Sequence, residues 1–159
     1  MTRFLTGLNL IGLGVRQATP LHNMKKTKGK AFIIDCGMFP DQITVFVNMS
    51  KEDAVAFMKK QRFHSKLIEV VLEREAFWEE NIPVTYWLSN QKQTKDAFFM
   101  RLPNIDYKKK GSVMQYFGTF VHEATHATDF ILELRGAGKE QEARAYLTEY
   151  IFRQIVANL

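Results

Sequence analysis

Cysteine is nearly missing from this chain: Cys36 stands alone among 159 residues. No intrachain disulfide can form, and a zinc knuckle built from cysteines is excluded. A reducing compartment suits such a chain best. Long apolar runs are lacking too. None approaches the roughly 20 residues of a membrane-spanning helix, so no membrane partner is expected. There is no internal repeat and no low-complexity tract. Neither sign of charge dominates, with 22 basic residues against 17 acidic ones and a net charge of +5. Acidic partners are favoured only weakly. The hydrophobic share is 46% and the charged share 25%. These values belong to globular chains and exclude fibrous or disordered classes. The length suits one domain with its own core and is short for two.

Arg3 precedes an apolar run from Phe4 to Val15 that contains Gly7, Gly12 and Gly14. That is the length of a signal-peptide core, but Asn9 interrupts it and no A-x-A cleavage pattern follows before Pro20. Residues 1–30 read as an irregular, glycine-bearing lead segment that packs onto the domain. Residues 31–159 read as that single domain. Lys25, Lys26, Lys28 and Lys30 read as a solvated loop.

Apolar and β-branched runs predict strands over 31–36 and 42–48, joined as a hairpin through 37–41. Ser50, with Asp53 three residues on, predicts a helix start, and Lys59 and Lys60 suit its end. A second helix is expected from Ser65 to about Glu80, although LIEVVL also suits a strand. Val84–Leu88 and Ala97–Leu102 predict two more strands. A long helix is expected from about Ser112 to Arg135, stopped by Gly136 and Gly138. A last helix should span about Lys139 to Val156. The expected fold is α+β: a sheet of about four strands followed by a helical carboxy-terminal third.

The sharpest chemical signal is His122-Glu123-Ala124-Thr125-His126, an H-E-x-x-H. Residues four apart stand on one face of a helix, so both imidazoles can reach one zinc ion. The glutamate between them would take a proton from a zinc-bound water, whose acidity the metal raises. A random chain of this length holds the pattern roughly once in one or two hundred cases. Val113, Phe117, Phe120, Val121, Ala124, Thr128, Ile131 and Leu134 recur at helical spacing and predict a buried stripe, with the histidines at its edge.

A third ligand is needed. Asp129 and Leu132 occupy the positions where a metzincin extension would have glycine and histidine, which excludes that class. The next helix offers Glu142 and Glu149. In an antiparallel hairpin, counting outward from the glycines sets Glu149 level with His126. The small residues around Glu142, in E-A-x-A-Y, favour close helix approach and argue for Glu142 instead. Asp129 shares a face with both histidines and could orient one of the imidazoles. Arg144, Tyr146 and Tyr150 could stabilise an oxyanion.

The segment VHEATHATDFI, followed by EARAYLTEYI, resembles small phage- and prophage-encoded H-E-x-x-H proteins. Those pair the motif with a downstream E-A-x-A-Y helix and are treated as zinc metallopeptidases. The arrangement is similar to gluzincins and to ImmA/IrrE-type peptidases. The resemblance implies a zincin-like domain and a Zn2+ cofactor held by His122, His126 and Glu142. It also implies a Glu123-activated water attacking a peptide bond, in the cytoplasm of an infected bacterial host. The matching substrate is a protein or peptide. The rival expectation is a zinc-binding protein without catalysis that binds a host or phage protein. Nucleic-acid binding through Lys25–Lys30 and Lys108–Lys110 is a weaker third reading, because lysine runs meet phosphates without reading sequence.

Overall fold

The computed structural model describes residues 28–78, 82–88 and 96–159. The expected lead segment therefore lies outside the described residues up to position 27. Four strands form one mixed sheet: β1 (Lys30–Asp35), β2 (Gln42–Val47), β3 (Val84–Leu88) and β4 (Ala97–Leu102). Their spatial order is β1-β2-β4-β3. β1 and β2 form the expected hairpin, paired from Lys30 opposite Val47 to Asp35 opposite Gln42. Gly37 takes a left-handed φ of 67° in its turn, and the Asp35 carboxylate accepts from the Gly37 N–H. β2 and β4 run parallel, with Ile43 opposite Phe98 and Val47 opposite Leu102. β3 pairs antiparallel with β4 and forms one edge.

The central strands β2 and β4 are buried on both faces, so they read as largely apolar runs, with Thr44 and Arg101 as buried polar exceptions. On one face, Phe46 and Phe99 pack with Ala54, Met58, Ile68, Val71 and Phe77. Those residues come from α1 (Lys51–Lys60), α2 (Ser65–Glu73) and α3 (Glu75–Trp78). The Ser50 hydroxyl caps α1 by accepting from the Asp53 N–H at 3.1 Å, as the sequence predicts. The helix expected over 65–80 is broken at Arg74, whose ψ of 81° leaves the helical region. On the other face, Ile43, Val45, Val47, Phe98, Met100 and Leu102 pack against the carboxy-terminal helices.

Those helices are α4 (Lys110–Gln115), α5 (Phe117–Leu134) and α6 (Gln141–Asn158). The single helix expected over 112–135 is interrupted at Tyr116. Gly136 ends α5 with φ 68°. There Ala137 N–H donates to the Leu132 carbonyl and Gly136 N–H to the Glu133 carbonyl, the paired bonds of a Schellman turn. That turn sends α6 back along α5. Asn48 tolerates φ 53° and bonds Ile105 through both side-chain amide atoms, at 2.6 and 2.7 Å, which ties the segment after β4 to the end of β2. Arg135 closes the far end by gripping the buried Asp41 carboxylate at 2.6 and 3.0 Å. No helix among the described residues is long and apolar enough to cross a membrane.

Candidate metal centre

The H-E-x-x-H lies in the middle of α5, with one face of the helix buried and the other open. Phe120, Ala124, Thr128 and Ile131 are buried, as the stripe predicts, while Val121 is exposed. His122 and His126 are both exposed. Their Nε2 atoms meet at 3.0 Å, and the rings stand nearly perpendicular. Two nitrogens on one tetrahedral zinc would lie roughly 3.3 Å apart, given Zn–N bonds of about 2.0–2.1 Å. Small rotations of the two rings would open the pair to that spacing. The donor chemistry and the convergence therefore suit two ligands of one ion.

Glu123 behaves differently from its neighbours. It is only 2% exposed, on the side of α5 that packs under the edge strand. The Thr85 hydroxyl of β3 donates to Glu123 Oε2 at 2.7 Å and also approaches the Glu123 carbonyl at 3.3 Å. Thr85 is itself buried. Trp87, two residues on and so on the same face of β3, contacts Phe130, with ring centroids 6.2 Å apart. Phe130 in turn lies along the His126 ring at 6.5 Å. An aromatic wall thus runs from His126 to the edge strand. The sequence reading missed Thr85, Trp87 and Phe130. The signal was present in the alternation of VTYWL, which puts Thr85 and Trp87 on one face.

The remaining candidates are placed by the helix hairpin. The Thr148 hydroxyl meets the Thr128 hydroxyl at 3.1 Å, Phe152 meets Phe117, and Arg144 forms an ion pair with Asp129. From the Thr128–Thr148 level, Glu142 lies about 9 Å toward the turn and His126 about 3 Å away from it, at 1.5 Å per residue. The two are therefore about 12 Å apart along the helix axes, whereas Glu149 falls within about 2 Å of the His126 level. Glu142 is exposed. Glu149 pairs with Arg153 on the outer side of α6. Among the described residues no third histidine, cysteine or carboxylate joins the histidine pair. Asp129 is engaged by Arg144 rather than by an imidazole. Tyr146 stacks on Tyr150, which lies against Gly37 of the β1–β2 turn. His64 caps α2 by accepting from the Lys66 N–H, and His22 lies outside the described residues.

Of the first lysine run, Lys28 and Lys30 meet Tyr107, which directly precedes Lys108–Lys110. The Tyr107 hydroxyl donates to the Lys28 carbonyl at 2.6 Å, and the Lys30 ammonium sits over the Tyr107 ring. The Lys30 ammonium thus occupies one face of that ring. Lys25 and Lys26 lie outside the described residues. Comparison of the chain with protein-family models, curated proteins and solved structures gives no match.

Proposed function

We propose that this chain is a zinc-dependent hydrolase of peptide bonds, of the phage and prophage type, acting on a protein or peptide in the host cytoplasm. The observation that carries this reading is the convergence of His122 and His126 at 3.0 Å beside a glutamate held against the sheet edge. His122 and His126 would hold the ion, with Glu149 or Glu142 as the candidates for a further ligand. Zinc, when bound, supplies a Lewis acid for the substrate carbonyl and lowers the pKa of water. Glu123 supplies the base: its carboxylate accepts the proton of the attacking water and returns it to the leaving amine. Thr85 fixes that carboxylate. Among the described residues β3 is an edge strand, a position at which an extended peptide could add as a further strand. Trp87 and Phe130 offer that peptide an apolar surface.

A second reading has one specific observation behind it. Glu123 is buried and bonded to Thr85, an arrangement that a purely structural role would also produce. The protein would then keep zinc in order to bind a host or phage protein, without catalysis. Glu123→Gln separates the two. It keeps an oxygen that can accept from Thr85 but removes the base. With zinc content and melting temperature preserved, the peptidase reading expects hydrolysis to fall by about two or more orders of magnitude. Unchanged activity in that variant defeats the peptidase reading.

A further inference from the structure

A second feature lies away from the histidine pair and is independent of the peptidase reading. An open groove of about 450 Å³ runs between α4, the start of α5 and the end of α6. Its apolar lining comes from Tyr107, Val113, Met114, Phe117, Val156 and Leu159. Met114 is 55% exposed there, an unusual position for a large apolar side chain. Lys108 and Lys110 stand on the rim.

The described residues begin beside this groove. Lys28 accepts from Tyr107, one of the lining residues. Lys30 reaches the carbonyl of Leu159, another, at 3.5 Å. The described residues therefore begin, at position 28, beside the groove wall. Upstream, residues 4–15 contain Phe4, Leu5, Leu8, Leu10, Ile11, Leu13 and Val15 and no charge of either sign. Such a run is disfavoured in water and stabilised on an apolar surface. Having no charge, it meets no repulsion from Lys108 and Lys110. The tether from Val15 to Lys28 is 13 residues, with a reach of up to roughly 43–47 Å, so length does not prevent a return to the groove. A tethered segment also competes at a millimolar effective concentration, which a free partner rarely matches.

We infer that the apolar segment Phe4–Val15 of the same chain docks in the groove between α4, α5 and α6. A groove of this volume has room for a few of its side chains, not all of them.

The test is disulfide capture in the full-length chain. Leu8, Leu10 and Leu13 are changed to cysteine one at a time, each with Met114→Cys. The comparison set pairs the same three with Val70→Cys, an exposed position on α2 across the sheet. Cys36 does not interfere, because it is buried and its thiol is pushed up to about 12. At least one of the three should link to position 114 within the chain about tenfold faster than to position 70. Equal rates at the two positions would mean that the segment has no preferred seat and would overturn the inference. Links that join two differently tagged chains would assign the groove to a second copy and would also overturn it.

Discussion

Thr85→Val removes the hydroxyl that meets Glu123 and keeps the shape of the side chain. It also keeps a β-branched residue in β3, so the strand itself is not weakened. Thr85 is 7% exposed and Glu123 2%, so water has little access to replace the lost donor. A hydrogen bond to a charged group contributes about 1.5–3 kcal/mol, and a neutral one about 0.5–1.5 kcal/mol. Thr85→Val should therefore cost about 1.5–3 kcal/mol in the natural chain, a fall in melting temperature of roughly 3–12 °C at this size. In a Glu123→Gln background the same change should cost only about 0.5–1.5 kcal/mol, because the acceptor is then neutral. The assay is a double-mutant cycle by urea unfolding at neutral pH. Equal costs in the two backgrounds, or a cost below about 0.5 kcal/mol in the natural chain, would refute a charged Glu123 held by Thr85.

Four further outcomes are expected. Protein purified without chelator should carry one zinc per chain, and His122→Ala or His126→Ala should abolish it; full zinc by elemental analysis in the double variant would disprove the site. If α6 supplies a further ligand, Glu149→Ala should weaken zinc binding about tenfold or more while Glu142→Ala changes little, as measured by competition with a chelating dye. Arg135→Ala should cost about 1–3 kcal/mol, because it strands the buried Asp41 carboxylate while its own side of the pair is partly solvent-screened; chemical denaturation gives the value. Cys36 sits near 12 through burial and the Asp41 and Asp35 charges, against 9.0 for an ordinary thiol. Raised in the fold, it favours the folded state fully below pH 9, and this contribution is lost as pH rises toward 12. Cys36→Ala should flatten that alkaline decline in stability.

The strands were legible because β-branched and aromatic runs end at clear turn residues, and the sheet fell where those runs predicted. Its order was not legible. The parallel pairing of β2 with β4 depends on which apolar faces α1–α3 and α5–α6 cover, a tertiary choice that no local pattern carries. The helix start at Ser50 and the stop at Gly136 were readable because each is a local backbone requirement with a specific side chain. The breaks at Arg74 and Tyr116 carry neither glycine nor proline, so periodicity ran straight through them. At the site, the H-E-x-x-H spacing alone placed both imidazoles together. The depth of Glu123 was not readable, since it depends on Thr85, 38 residues earlier on an edge strand. Glu142 gained its place in the sequence reading from small neighbours. The Thr128–Thr148 and Asp129–Arg144 contacts instead lie within two residues of the simple antiparallel count, while Phe152 meets Phe117 five residues off it.

Position 123 is where the chain departs from what folding stability alone would select. Its neighbours on the buried side of α5 are apolar, namely Phe120, Ala124, Ala127, Ile131 and Leu132, apart from Thr128, which bonds Thr148. An apolar residue at 123 would continue that surface against β3. The chain instead buries a carboxylate there, and a buried charge costs several kcal/mol unless it is well bonded. One hydroxyl, Thr85, offsets part of this cost, and no cation is paired with Glu123 among the ion pairs of the described residues. Local rules that a sequence breaks at a cost tend to mark working positions. Here the costly group adjoins His122 in sequence, on a helix that already brings two imidazoles to one point. Packing alone would favour leucine over a carboxylate at that position. The proposed base beside a metal would supply a reason for the carboxylate, and it is the same group on which Glu123→Gln acts.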